Sequence, residues 1–175
     1  EIVFQHRSSL QKRLAEYFKN KLNNQRSPLN LVKHPDSDER RIDFWLKDWE
    51  RFIDTLSGGG DNCILSYRYW SGDKFPEEEG VKLHLAIKPA PALESLRMEI
   101  LRIARANPDI FNVTRGGKDT DWKSIYQCQI LTKQQLREYS FTELTREIDR
   151  FWDNFFQGDF ERIKQIISQV NYPSA

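Results

Sequence analysis

Two stretches of regular alternation constrain this chain more than any other feature. In residues 63–70, Cys63, Leu65, Tyr67 and Tyr69 fall on one side and Ile64, Ser66, Arg68 and Trp70 on the other; in residues 81–88, Val81, Leu83, Leu85 and Ile87 oppose Lys82, His84, Ala86 and Lys88. Successive side chains of extended backbone point to opposite faces, so both stretches read as strands with one greasy face and one polar face. The intervening SGDKFPEEEG, Ser71 to Gly80, is turn-rich and acidic, and predicts an antiparallel hairpin with a long loop. A third strand, Lys123 to Leu131, sets Tyr126, Cys128 and Ile130 against Gln127 and Gln129.

Helical periodicity accounts for much of the remainder. Leu10, Leu14, Tyr17, Phe18 and Leu22 form a stripe that predicts a helix over residues 8–23, with Ser8 or Ser9 as its cap. Residues 1–33 carry seven Lys/Arg against Glu1 and Glu16, a net +5 in a chain of net +1, so this helix is basic and the remainder acidic. Ile42, Trp45, Leu46, Trp49, Phe52, Ile53 and Leu56 recur at helical spacing and predict a second helix from Ser37 to Leu56, halted by Gly58-Gly59-Gly60. A third spans about Ala92–Ala106, with Glu94–Arg97 and Glu99–Arg102 as ion pairs on its exposed side. The capping boxes Thr132-x-x-Gln135 and Ser140-x-x-Glu143 open two more, and Gly158-Asp159 breaks and recaps the chain before a last stripe from Phe160 to Val170.

The predicted order is α-α-β-β-α-β-α-α. The fold class is α+β: a small, mainly antiparallel sheet of three or more strands with helices packed on one face. At 175 residues and 38% hydrophobic content, with no linker-like segment, residues 1–175 read as one domain: a basic N-terminal helix, then an α+β core over 37–170. Glu1 at the start and Met98 as the sole methionine suggest a segment of a longer chain or one that follows processing.

The motifs that carry chemistry are sparse. GxxxxGK[ST], GxGxxG, HExxH and GxSxG do not occur, and His6, His34 and His84 lie in different elements, so neither a cofactor nor a metal is expected and no residue is named catalytic. Cys63 and Cys128 show no CxxC spacing and read as buried thiols of a reducing, cytoplasmic compartment. No apolar run approaches the ~20 residues that cross a bilayer, so no membrane partner is expected. The run HPDSDER, His34 to Arg40, gathers acids, yet a calcium loop fails where Arg40 takes the next alternate position, and helix capping explains Asp36, Asp38 and Glu39. A nuclease of the PD-(D/E)XK kind needs acid-x-Lys on its second strand; here Ala86 precedes Lys88 by two.

The succession of a Trp45/Trp49 helix, hairpin, helix, Trp122 loop, strand and aromatic helix with Phe151 and Trp152 resembles, in element order over Ile42–Ile167, accessory α+β domains of bacterial PD-(D/E)XK-superfamily nuclease-like proteins. That resemblance implies a noncatalytic module of a larger defence or DNA-processing protein.

Two groups of residues are candidates for binding. The polar strand face would present Arg68, Trp70, Lys82, His84 and Lys88, cations with one aromatic, to DNA or RNA. The loop Arg115-Gly116-Gly117-Lys118, with Trp122 and Lys123, would offer flexible backbone and cations to an anion. A binding or regulatory domain contacting nucleic acid or other domains of its parent chain is the expectation. The alternatives are a metal-dependent nuclease using Asp36, Asp38 and Glu39, and a pure protein-interaction module.

Overall fold

The computed structural model describes residues 2–53, 63–76 and 80–171. Helix α1 (Ile2–Leu29) leads into strands β1 (Leu31–Lys33), β2 (Arg41–Leu46), β3 (Leu65–Trp70) and β4 (Val81–Ile87); α2 (Glu94–Ala106) then precedes β5 (Lys123–Leu131), and α3 (Lys133–Glu138), α4 (Phe141–Gln157) and α5 (Asp159–Ile167) close the chain. The five strands form one antiparallel sheet in spatial order β1-β2-β3-β4-β5, so the α+β class holds and the topology is a meander with α2 inserted in its last connection.

The predicted second helix is a strand followed by a 3-10 turn, Lys47–Phe52. Ile42, Phe44 and Leu46 satisfy a period of two as well as Ile42, Trp45, Leu46 and Trp49 satisfy 3.6, because both faces of β2 are covered and apolar residues stand on each. Pairing decides between the periods: Ile42 faces Tyr69 and Phe44 faces Tyr67 on β3, and Ile, Phe and Trp favour a pleated, packed surface. The acids ahead of it turn the chain instead of capping a helix. Asp38 accepts the backbone N–H groups of Arg40 and Arg41 at 2.8 and 2.9 Å through Oδ1, while its own N–H donates to the Arg41 carbonyl. The glycines 58–60 lie outside the described residues.

Helix α1 is longer than its stripe, and Ser8 and Ser9 lie within it, not at its start; Asn30, at φ 55°, closes it after Pro28. Its buried side, Leu14, Phe18 and Leu22, meets the greasy sheet face. Phe18 is the wedge, with ring centroids 4.8 Å from Tyr69, 6.2 Å from Phe44 and 5.4 Å from Trp152 of α4. Tyr67 packs on Phe44 and Trp49 and against Phe155 and Phe160 of α4 and α5. Both capping boxes form, at Thr132 and Ser140.

Part of the charge of α1 is used within the fold. Tyr17 Oη donates to Asp149 at 2.7 Å, Lys21 reaches the same carboxylate at 2.9 Å, and the Arg13 guanidinium lies 3.9 Å from the Phe141 ring centre, all on α4. The outer edge of β5 is also occupied. Thr114 N–H donates to the Ser124 carbonyl and the Asn112 amide brackets the backbone of Gln127, which shields an edge that would otherwise pair with another chain.

Candidate binding cleft on the open sheet face

Cross-strand register builds the site. On the sheet face away from Phe18, one row runs Arg41, Trp70, Lys82, Gln129 and the next runs Asp43, Arg68, His84, Gln127 across β2, β3, β4 and β5. Directly opposed side chains on one face stand about 5 Å apart, so each row is a contiguous strip. Arg68, Trp70, Lys82 and His84 therefore come together as strand parity predicts. The face is not evenly solvated, however. A third row, Ser66, Ala86 and Ser124, is 0%, 1% and 3% exposed, Trp45 is buried too, and Asp43 is the buried end of the second row, which confines the accessible part to the first row and to Arg68, His84 and Gln127 of the second.

Over those rows lies Trp122, from the loop that enters β5. Its ring centre is 5.7 Å from the Arg68 guanidinium carbon and 6.4 Å from the His84 ring. Arg68, Trp70, His84 and Trp122 line a cleft of about 350 Å³, within the usual size of small-ligand pockets. Sequence spacing assigns Trp122 to the glycine loop; the fold gives it to the sheet. The only advance sign was its position one residue ahead of a strand whose polar face was already a candidate.

The cleft's charges are ordered. Arg68 donates from Nε and Nη2 to the two carboxylate oxygens of Asp43 at 2.8 and 3.1 Å, and Arg41 Nε stands 3.9 Å from the same group. Lys88 is half-buried beside them; burial lowers its ammonium pKa, the Arg68 charge adds to that, and Asp43 opposes it. These rows and Lys88 together hold four cations, Arg41, Arg68, Lys82 and Lys88, to a single carboxylate, Asp43. His84 has its tautomer set by Ser124, whose hydroxyl donates to the Tyr126 carbonyl at 3.0 Å and so accepts at 3.1 Å from His84 Nδ1. Nε2 is then the basic nitrogen of the neutral ring.

The glycine loop does less than predicted. Gly116 and Gly117 adopt φ 85° and 67°, and Arg115 and Lys118 are exposed at their flanks. Lys123 is 4% exposed, donates to the Gly116 carbonyl at 2.7 Å and sits 3.7 Å from Asp119, so it is withdrawn from any ligand. Arg105 binds Asp119 through two bonds of 3.0 and 2.7 Å, which holds that carboxyl below its ordinary range. Of the cations lining a cavity of about 700 Å³ beside the loop, Arg105 and Lys123 already face Asp119, while Arg115 is exposed. Arg97 is the other departure from expectation. Instead of joining Glu94 on an exposed side, it is fully buried and lies 4.0 Å from Glu94, whereas Glu99 and Arg102 pair as expected.

Asp36, Asp38 and Glu39 are exposed on the β1–β2 turn and do not converge; among the described residues no group of three or more His, Cys, Asp or Glu could hold a metal ion. Burial pushes the Cys63 thiol up to about 12 and that of Cys128 up to about 11, so both stay protonated at neutral pH. No helix among the described residues is long and apolar enough to cross a membrane. No family model, curated protein or solved structure matches the chain, so its function is read from this geometry.

Proposed function

We propose that this chain is a noncatalytic module that binds single-stranded nucleic acid on the open sheet face. The observation that carries the proposal is the cleft of Arg68, Trp70, His84 and Trp122 set within rows holding Arg41 and Lys82. Flat rings stack on any base and neighbouring cations meet the phosphates, the combination that single strands require and duplexes do not. A methylated ammonium ligand, the other usual guest of an aromatic cage, is disfavoured by the Arg68 guanidinium in the wall.

The test is fluorescence anisotropy of labelled 12-nucleotide DNA and RNA strands over a range of salt. Binding should weaken steeply as salt rises, and Trp70→Ala or Trp122→Ala should each weaken it by about tenfold or more, since a stacked base contributes about 1–3 kcal/mol. The strands should remain intact with added Mg²⁺ or Mn²⁺; cleavage abolished by Asp36→Ala and Glu39→Ala would instead establish the nuclease. Absence of salt-sensitive binding, with Arg68→Glu and Lys82→Glu without effect, would leave a protein-interaction module.

A further inference from the structure

We infer that Arg97, on α2 and outside the cleft, is the positioning residue that holds Trp122 ready over it; the inference rests on the open-face proposal for its functional meaning, and on separate contacts for its geometry. The Arg97 side chain is 0% exposed. Nη1 donates to the Thr120 carbonyl at 3.2 Å, and Nη2 donates to those of Asp119 and Asp121 at 3.0 and 2.7 Å. Nε is buried without a partner, and burial lowers the guanidinium pKa against the weaker pull of Glu94, Asp119 and Asp121.

A guanidinium removed from water without a carboxylate in hydrogen-bonding contact is a costly thing to build into a fold. Here it secures three consecutive backbone carbonyls. They can converge on one cation only if the loop curls around it. The Asp121 N–H to Lys118 carbonyl bond and the Lys118 N–H to Asp121 carboxylate bond, both 3.1 Å, close the same curl. Trp122 is the next residue. Trp122 is 40% exposed yet its ring lies against Arg68 and His84, so its place comes from the backbone that delivers it more than from burial of its own ring. Asp119, held from outside by Arg105, steadies the other side of the curl. Ordering the loop in advance removes an entropic cost that a bound base would otherwise meet.

The test uses the whole chain labelled with 5-fluorotryptophan, whose indoles are followed by ¹⁹F NMR, with the Trp122 line assigned by Trp122→Phe. Arg97→Met should shift and broaden that line while those of the buried Trp45, Trp49 and Trp152 stay in place. It should also weaken binding of the single-stranded 12-mer about five- to tenfold, an effect that disappears in a Trp122→Ala background. If Arg97→Met does not fold, Arg97→Lys serves, because one ammonium keeps the charge but does not span three carbonyls; its Trp122 line should move in the same direction. An unmoved Trp122 line in a folded Arg97 variant, with only a lowered melting temperature, overturns the inference. Should no strand bind the unaltered protein, the open-face proposal fails, and the Trp122 line still decides whether Arg97 positions the ring.

Discussion

Arg68 and Asp43, directly opposed on β3 and β2, are joined by a fork of two hydrogen bonds at 2.8 and 3.1 Å, and both side chains are largely withdrawn from water, at 18% and 6% exposure. The fork does two things. It neutralises the one carboxylate in the two rows, and it holds the guanidinium carbon 5.7 Å from the Trp122 ring centre.

Removing one member strands the other. Arg68→Met should leave the Asp43 carboxylate buried without its principal partner and cost about 3 kcal/mol or more. The double variant Arg68→Met with Asp43→Leu should recover most of that loss. Urea denaturation midpoints of the two single variants and the double variant check this; a double-variant loss equal to the sum of the two single losses would show that the pair is not coupled.

Much of this face was legible because strand parity is a local property: Ser66, Arg68 and Trp70 alternate with Leu65, Tyr67 and Tyr69 whatever the remainder of the chain does. What escaped depended on tertiary structure. β2 satisfies both periods, and only its pairing with β3 chooses between them. Trp122 reaches the cleft because Arg97 is buried, and Glu94-x-x-Arg97 looks in sequence like an ordinary surface pair. The burial of Ser66 and Ser124 shares that cause: alternation tells which face a residue is on, not what else arrives there.

Gly80 and Gly116 make a controlled comparison of what a β-carbon costs. Both have positive φ, 74° and 85°, but a β-carbon at Gly80 would lie 2.2 Å from the Leu131 carbonyl oxygen, where β4 begins against the end of β5, while one at Gly116 would meet nothing within 4 Å. Gly116→Ala should therefore cost about 1–2 kcal/mol, the strain of the left-handed conformation alone. Gly80→Ala should cost clearly more, or prevent folding, as thermal melting would show; similar melting temperatures would contradict the tight approach.

Phe18 joins the sheet to α4 through Tyr69 and Trp152. Phe18→Ala should cost about 3–5 kcal/mol, the usual loss for a buried phenyl ring. Phe18→Leu should cost less, because it keeps most of the apolar contact. Loss of strand binding in proportion to unfolding, and no more, is expected, since Phe18 lies on the opposite face of the sheet from the cleft.

The contact of Tyr17 and Lys21 with Asp149 should make the packing of α1 on α4 sensitive to pH at both extremes. Burial raises the Asp149 pKa, but the bonds from Lys21 and Tyr17 outweigh it, and the folded value lies below the ordinary 3.8. A depressed carboxyl contributes stability that is present above the unfolded value and is lost as pH falls through the folded one, so the acid loss begins near pH 3.8 and continues below it. Tyr17 has the opposite sign. Burial, then the hydrogen bond to Asp149, raises it from 10.0 to about 12, so its contribution is full below pH 10.0 and is lost as pH rises towards 12. Melting temperatures across pH for the unaltered chain, Asp149→Asn and Tyr17→Phe check both limbs. Asp149→Asn should flatten the acid limb and Tyr17→Phe the alkaline one, whereas an acid limb unchanged by Asp149→Asn would mean that the α1–α4 contact draws no stability from that carboxylate.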